Sequence, residues 1–194
     1  MSTPADLERT VAGAARRVIA EHGWTGLTLA RIADAAGVSR MTLHRRGLGR
    51  EEIFQLLALA YEADFGAALS SAVDRKDDPR ARLEAALVAV CAVTERHLDF
   101  LVGLDEDADT KLFHEDGPVV ASRRTYVAAL EETLAAGMRA GVFRRHDVGE
   151  TATVLVNAVD RTYRHLRRAH GWAPARARDH LVQLLLRGLD GTPS

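Results

Sequence analysis

Apolar residues recur along this chain at the three- and four-residue spacing of amphipathic helices. No segment alternates apolar and polar residues with the two-residue period of a β-strand, and no internal repeat is present. The spacing predicts helices over residues 6–21, 50–73, 79–102, 119–140, 147–168 and 175–189, two short helices within 27–50, and a short helix within 103–118. The pattern therefore predicts an all-α protein of about nine helices.

Several polar residues and breakers are placed to define the ends of these helices. Asp6 is expected to cap the first helix, and Asp147 to cap the helix over 147–168. Pro79 follows the clearest break in the chain and is suited to opening a helix. Trp24 lies in the connection after the first helix, where we expect it to be a core residue.

Residues 27–50 carry the most informative pattern, LTLARIADAAGVSRMTLHRRGLGR. Thr28 is placed to cap a first short helix through its hydroxyl, and Ser39 to cap a second. Gly37 falls between them, where a tight turn requires the left-handed conformation that glycine adopts without a Cβ clash. Leu43 is the inward residue of the second helix. The stretch therefore predicts a helix-turn-helix.

The second helix of this motif has basic and polar residues left for its outer and flanking faces. They are Arg40, Thr42, His44, Arg45 and Arg46. A short capped helix with one inward leucine and such a surface is suited to entering the major groove of DNA, and Arg40 is the first candidate for a base contact. The alternative is an ordinary helical hairpin, which has the same spacing and solvated arginines.

The pattern T-x-x-x-IA-x-x-AGVS-x-x-TL, followed by a basic residue and Glu-Glu opening a new helix, resembles the DNA-binding domain of TetR-family transcriptional regulators. The resemblance covers roughly residues 8 to 60. It implies a three-helix DNA-binding domain over 1–50, joined by a long fourth helix to a helical ligand-sensing and dimerisation domain over 51–194. The DNA-contacting residues that it implies are Thr28, Ser39, Arg40, Met41, Thr42, His44, Arg45, Arg46 and Arg50.

The chain departs from the family after Leu43. The family's aromatic cluster, Tyr-x-Tyr-Phe, is replaced here by residues 44–47, HRRG. We expect Leu48 to fill the gap between the third and fourth helices instead. Arg50 matches the family's lysine at the start of the fourth helix, where a cation and a helix N-terminus meet one phosphate.

Composition and charge support this interpretation. The 194 residues are 47% hydrophobic and 27% charged, enough to bury the cores of a small and a larger domain. Residues 1–50 hold eight arginines against four Asp or Glu, a surplus of four positive charges. Because the whole chain carries −1, the remainder carries −5. A basic motif on an acidic body is typical of a DNA-binding protein.

The sequence also limits the location of the protein. The single cysteine, Cys91, excludes an internal disulfide and a cysteine-based zinc cluster within one chain. No signal segment precedes the first helix, and no window has the roughly 18 apolar residues of a membrane span. We therefore expect a cytoplasmic protein that does not bind a membrane.

The resemblance implies a small-molecule effector bound in the C-terminal domain, which favours the DNA-released state. Asn157 and Arg161 are four residues apart on an otherwise apolar helix face, and Arg161 would favour an anionic or carbonyl-bearing effector. Most of the other candidates are equally expected in an ordinary core. The full set of candidate effector-binding residues is Phe65, Leu69, Cys91, Thr94, His97, Phe100, Phe113, Tyr126, Leu130, Asn157 and Arg161.

The last two long helices have broad apolar faces, so they are either fully buried in the monomer or paired with a second copy. The resemblance implies a four-helix interface between two copies, with recognition helices roughly 34–36 Å, or a multiple, apart on a palindromic operator. Repression is the family's default. The candidate interface residues are Val159, Tyr163, Leu166, Leu181 and Leu185.

Other functional classes have weaker support. The chain contains no HExxH, GxSxG, phosphate-binding glycine loop or dinucleotide-binding fingerprint. His97, His114 and the acidic run 105–116 would have to supply a catalytic base or metal ligands, but such a charge run is usually a solvated face. We predict no catalysis, no cofactor and no metal. A protein-interaction module is a third hypothesis, distinguished by salt, since only DNA binding weakens steeply as salt rises.

Overall fold

The computed structural model describes residues 3–73, 78–106 and 118–191. Nine α-helices and one 3-10 turn account for most of these residues, and the only β-type pairing among them is an isolated bridge between Phe143 and Asp190. The prediction of an all-α fold with about nine helices is confirmed. The helices are α1 (Pro4–His22), α2 (Leu29–Ala36), α3 (Arg40–Arg45), α4 (Arg50–Val73), α5 (Pro79–Arg96), α6 (Leu98–Glu106), α7 (Pro118–Arg139), α8 (Val148–Arg168) and α9 (Pro174–Leu189).

The cap of α1 differs from the prediction. Thr3 is the N-cap, and its hydroxyl accepts a hydrogen bond from the backbone N–H of Asp6 at 3.2 Å. The Asp6 carboxylate accepts in return from the backbone N–H of Thr3 at 3.1 Å. Asp6 is therefore the reciprocal partner in a capping box rather than the cap itself. The predicted cap of α8 is confirmed, since Asp147 accepts from the backbone of Glu150 at 2.8 Å.

The single helix predicted over 79–102 is wrong, because the chain breaks at His97 into α5 and α6. His97 is buried, and its ring meets the ring of Tyr61 edge-on at 5.4 Å. Helix α5 packs against α8 and α9, whereas α6 packs against α1 and the turn at Trp24–Gly26. The helical spacing of apolar residues continues on both sides of His97, so the spacing alone does not show that the helix ends there.

The chain divides into two compact units. Unit 1 comprises Met1–Glu62 and His97–Val119, and unit 2 comprises Ala63–Arg96 and Val120–Ser194. The core of unit 1 is built from α1, α2, α3, the first part of α4 and α6, and that of unit 2 largely from α5, α8 and α9. The division predicted at residue 50 concerns functional domains rather than compact units, and it stays a prediction.

Helix α4 has the predicted bounds of 50–73, but it is more apolar than the sequence analysis stated. Its most apolar 18-residue window has a mean hydropathy of 1.3, which is enough to cross a membrane by length and composition alone. The statement that no such window exists is therefore wrong. Ile53 and Leu57 are buried in unit 1, and Phe65 and Leu69 are buried in unit 2. These positions are buried in the protein, and 39% of the apolar window as a whole is buried.

Candidate nucleic-acid interface

The helix-turn-helix forms because three local signals act at its ends. The hydroxyl of Thr28 accepts from the backbone N–H of Arg31 at 3.3 Å, which caps α2. Gly37 ends α2 in the left-handed conformation with φ 68°, and the hydroxyl of Ser39 accepts from the backbone of Thr42 at 3.0 Å to cap α3. All three predictions are confirmed, because cap chemistry depends only on residues close in sequence.

Helix α3 has one inward residue and a polar outer face. Leu43 is fully buried, as predicted. Arg40, Met41, His44 and Arg45 are exposed on the same short helix, whereas Thr42 is half-buried. Its outer surface is therefore available to a partner, and its composition is basic.

The arginines around α3 lack acidic partners within the part of the chain that the structure describes. Arg40, Arg45 and Arg46 are exposed, and no carboxylate among the described residues forms an ion pair with them. A guanidinium that has no carboxylate partner keeps all of its N–H donors for a planar acceptor such as a phosphate or a guanine edge. The site is therefore suited to an anionic, hydrogen-bonding surface.

Leu48 takes the buried position after α3. The chain turns at Gly47, whose φ is 66°, and the backbone N–H of Leu48 donates to the carbonyl of Leu43 at 3.0 Å. Leu48 is buried, as expected for the residue that fills the gap left by the missing aromatic cluster. His44, Arg45 and Arg46 are consequently left at the surface.

Two helix N-termini border one concavity in unit 1. The N-cap Thr28 and the first residue of α4, Arg50, both line a cavity of about 250 Å³. Leu27, Leu29, Ile32, Ile53 and Phe54 form the rest of its wall. Because a helix N-terminus presents free backbone N–H groups and a positive dipole end, this concavity favours a phosphate near Arg50.

Sequence reasoning missed the aromatic support beneath Arg50. The guanidinium carbon of Arg50 lies 5.0 Å from the ring centroid of Phe54. Phe54 in turn stacks on Trp24, with ring centroids 4.8 Å apart and an interplanar angle of 19°. Trp24 is half-buried, so the expectation that it is a core residue is met only in part. The available signal was the four-residue spacing from Arg50 to Phe54, which places both on one face of α4.

The described effector-binding candidates are divided between the two compact units. Phe65, Leu69, Cys91, Thr94 and Leu130 are buried in unit 2, whereas His97 and Phe100 are buried in unit 1. Phe113 and the side chain of Tyr126 lie outside the described residues.

The two preferred polar candidates point to solvent or to their own helix. Asn157 is half-buried, and its side-chain amide donates to the carbonyl of Thr153 at 2.8 Å. Arg161 is exposed. A different polar pair on α8 is buried instead: Asp160 is 4% exposed and Arg164 is 7% exposed.

The Asp160–Arg164 pair is hydrogen-bonded inside unit 2. The Arg164 Nη2 donates to Asp160 Oδ2 at 3.0 Å, and the hydroxyl of Thr94 donates to Asp160 Oδ1 at 3.2 Å. Paired, hydrogen-bonded charges are the form in which ionised side chains tolerate burial. The signal in the sequence was an Asp and an Arg four residues apart on the apolar side of a helix.

A second ion pair joins α5 to α8. Glu95 accepts two hydrogen bonds from Arg167, both at 2.8 Å, and one from the hydroxyl of Tyr163 at 2.9 Å. The hydrogen bonds from Arg167, together with that from Tyr163, hold the pKa of Glu95 below its usual range. Nearby, burial raises the pKa of the Cys91 thiol to about 12, so this group is not a thiolate nucleophile at neutral pH.

The candidate dimer residues need a correction. Val159, Tyr163 and Leu181 are buried within unit 2, so they contribute little surface to a second copy. Leu166 and Leu185 are half-buried. The exposed apolar residues of these helices are Val154 on α8, at 62%, and Leu184 on α9, at 70%. The sequence shows that a helix face is apolar but not whether the same chain or a second copy covers it. Here other helices of unit 2 cover most of the apolar positions of α8 and α9.

Metal ligands are not assembled in the part of the chain that the structure describes. No three or more His, Cys, Asp or Glu side chains are grouped there in an arrangement that would hold a metal ion. The acidic run 105–116 and His114 lie outside the residues whose side chains are described.

Two family profiles match the chain. The profile described as "Bacterial regulatory proteins, tetR family" matches residues 13–57. The profile described as "Tetracyclin repressor-like, C-terminal domain" matches residues 76–189. A comparison with curated proteins found no match.

Solved structures share the fold over nearly the whole chain. The ketosteroid transcriptional regulator KstR2 of Mycobacterium tuberculosis is 20% identical with a TM-score of 0.72, over 95% of each chain. The TetR-family transcriptional regulator PfmR from Thermus thermophilus is 22% identical with a TM-score of 0.70, over 99% of this chain and 100% of that one. AibR, in complex with isovaleryl coenzyme A and operator DNA, is 20% identical with a TM-score of 0.69, over 93% and 98%.

Proposed function

Because the chain belongs to the TetR family of bacterial regulatory proteins, we propose that it is a ligand-responsive repressor that binds a palindromic operator as a homodimer. The family identity makes it a DNA-binding transcriptional regulator and not an enzyme. The repressor role, the operator symmetry, the effector and the dimer are the proposal.

The observation that carries the proposal is the exposed basic surface of α3. Arg40, Arg45 and Arg46 have no carboxylate partner among the described residues, on a capped helix of the kind that enters a major groove. We assign Arg40 to a guanine edge, and Thr28 and Arg50 to phosphates. Ser39, Met41, Thr42, His44, Arg45 and Arg46 complete the proposed DNA-contacting set.

The proposed effector site lies in the C-terminal domain, residues 51–194, with residues 1–50 binding DNA. AibR has been solved with both isovaleryl coenzyme A and operator DNA, which supports a small-molecule effector for this fold. The buried candidates in unit 2 are the first places to test. An effector releases the operator only if it binds the released state better than the DNA-bound state.

The proposed dimer uses the exposed apolar residues of α8 and α9. Leu184 and Val154 are the large apolar residues that these two helices leave exposed, so they are the positions at which a second copy would bury apolar surface. Light scattering at micromolar concentration should give twice the chain mass, and Leu184→Glu should give the monomer mass. Leu59→Glu is the matched control, because Leu59 is also exposed but lies on α4. A monomeric mass for the unaltered protein would refute the dimer.

We propose a cytoplasmic location without membrane binding. The apolar positions of α4 that would face lipid are largely engaged in the cores of the two units, and an operator-binding protein acts where the DNA is.

Selection of random duplex DNA by the purified protein, followed by sequencing, tests the function directly. We expect a palindrome whose half-sites are about one helical turn, or a multiple of it, apart. Recovery of no enriched sequence by folded protein, at moderate salt and without effector, would contradict the proposal of a sequence-specific operator-binding dimer.

A further inference from the structure

Three side chains in unit 1 form a continuous stack that ends at a helix N-terminus. The Arg50 guanidinium lies over one ring, Phe54, which stacks nearly parallel on Trp24. Phe100 of α6 meets Trp24 at a centroid distance of 6.1 Å and an interplanar angle of 51°. We call Arg50, Phe54 and Trp24 the arginine stack.

Helix α6 packs directly against Trp24, the inner end of the arginine stack. A Cβ atom placed on Gly103 would lie 2.2 to 2.6 Å from Cδ2, Cε3 and Cγ of Trp24. Contacts that short do not occur between real atoms, so the indole occupies space that any other residue at position 103 would fill. The backbone of α6 is thus the surface against which Trp24 rests.

The outer end of the arginine stack is the Arg50 guanidinium, which lies at the concavity between α2 and α4. Arg50 lines this cavity together with Thr28. An arginine side chain has many rotamers, and fixing one of them has an entropic cost when a phosphate binds. A guanidinium held on an aromatic face has already lost part of that freedom.

We propose that Phe54 and Trp24 are positioning residues for the phosphate contact of Arg50, and that α6 keeps them in place through Gly103. The inference rests on the proposed function, because it takes Arg50 as a phosphate ligand. Helix α6 therefore affects DNA affinity. If α6 is displaced, Trp24 is no longer held in place, Phe54 loses the ring on which it stacks, and the Arg50 guanidinium is less restricted in its position. Helix α6 follows α5 of unit 2 directly in the chain, with only His97 between them.

The first experiment measures operator affinity against salt for the full-length protein and three variants: Phe54→Leu, Arg50→Ala and the double variant. Phe54→Leu keeps an apolar side chain but removes the aromatic face. We expect Arg50→Ala to lower the slope of log affinity against log salt by about one per protomer. Phe54→Leu should bind the operator about fivefold more weakly, and its slope should be lowered toward that of Arg50→Ala. The double variant should bind as weakly as Arg50→Ala alone, since the two residues act through one contact.

The control separates positioning from a general loss of stability. Phe143→Leu removes the same group from a buried phenylalanine of unit 2 and should leave both affinity and salt slope unchanged. Circular dichroism establishes that each variant is folded under the binding conditions.

A second variant tests the role of α6 without substituting any residue of the arginine stack. Gly103→Ala should weaken operator binding and lower the salt slope in the same way, because the added methyl group displaces Trp24. If Gly103→Ala does not fold, Phe100→Leu replaces it, because Phe100 of α6 also contacts Trp24. The order parameter of the Arg50 Nε–Hε bond should then be lower in Phe100→Leu than in the unaltered protein, and an unchanged value would overturn the role of α6.

The outcomes distinguish this inference from the proposed function. If Arg50→Ala lowers the salt slope but folded Phe54→Leu keeps the original slope and affinity, the inference is overturned and the phosphate contact stands. If the losses from Phe54→Leu and Arg50→Ala add, Phe54 has only a structural role. If Arg50→Ala itself leaves the slope unchanged, the proposed phosphate contact fails and this inference fails with it.

Discussion

Two arginines of α3 and two of α8 have opposite environments. Arg40 and Arg45 are exposed on α3 in unit 1, and no carboxylate among the described residues pairs with them. Arg164 and Arg167 on α8 in unit 2 are each held by a carboxylate at 3.0 Å or less. Arginine therefore occurs in two environments in this protein, and the presence or absence of a carboxylate partner distinguishes them.

The difference follows from what each arginine must bind. A buried guanidinium needs a carboxylate, because removing one partner leaves an uncompensated charge in the protein interior. An arginine that binds DNA must instead remain available, since an intramolecular carboxylate would compete with the phosphate for the same N–H donors. We infer that ion-paired arginines in this chain stabilise the fold and that the α3 arginines bind DNA.

The largest expected effect comes from breaking the buried pair. Asp160→Ala should lower the free energy of unfolding by roughly 3–5 kcal/mol, because it removes one member of a buried ion pair. Chemical denaturation measures the change, and Arg168→Ala, an exposed arginine on the same helix, should change it by less than about 0.5 kcal/mol. A loss for Asp160→Ala as small as that of the control would contradict the structural role of the pair.

The next effect concerns DNA and leaves stability unchanged. Arg40→Ala should weaken operator binding by about 1–3 kcal/mol and relax the preference at one base position. Binding to a panel of single-base operator variants measures both quantities. Uniform weakening across the panel would make Arg40 a phosphate contact instead, and no weakening would contradict the role assigned to this exposed arginine of α3.

The smallest effect is the pH dependence of the Glu95–Arg167 pair. Glu95→Gln should lower the free energy of unfolding at pH 7 by about 1–2 kcal/mol, as expected for hydrogen bonds to a charged group that is only partly buried. The folded-state pKa of Glu95 lies below the ordinary glutamate value of 4.5. The pair therefore stabilises the fold above about that pH, and its contribution is lost as the pH falls through the depressed folded-state pKa.

The measurement is the difference in unfolding free energy between Glu95→Gln and the unaltered protein from pH 7 to pH 3. The difference should shrink as the pH falls. Glu84→Gln is the control, because the contacts of Glu84 are long ones at the surface, 4.0 Å to Arg80 and 3.5 Å to the amide of Gln183, and its effect should be near zero throughout. A difference for Glu95→Gln that stays constant with pH would show that ionisation of Glu95 is not its source.

The features that could be predicted from the sequence are those that depend on residues close to each other in the chain. Thr28, Gly37 and Ser39 act on backbone groups within four positions of themselves, so their roles follow from the order of residues alone. The burial of Leu48 was expected from the family resemblance, because residues 44–47 lack the family's aromatic cluster. The all-α fold followed from the apolar spacing because nearly every segment carries the same period.

The features that were not predictable depend on which elements meet. Val159 and Tyr163 lie on an apolar face that a second copy would cover equally well, and only the packing of α8 within unit 2 shows that they are core. The burial of Asp160 with Arg164 depends on that same packing and on Thr94. The break at His97 is hidden because the apolar residues on either side belong to different neighbours.

The measurement that tests the comparison most directly is the salt dependence of operator affinity for two triple variants. One changes the three basic residues of the motif to alanine, and the other changes three exposed arginines of unit 2, so both lose three positive charges. The first set is Arg40, Arg45 and Arg46, and the second is Arg139, Arg168 and Arg187.

We predict that the first triple variant loses specific binding and flattens the slope of log affinity against log salt, whose steepness reports phosphate contacts at about −0.9 each. The second triple variant should keep the operator preference and nearly the original slope, because its arginines lie outside the helix-turn-helix. Equal losses in both folded variants would mean that binding depends on net charge, and they would contradict the assignment of DNA binding to the exposed arginines around α3.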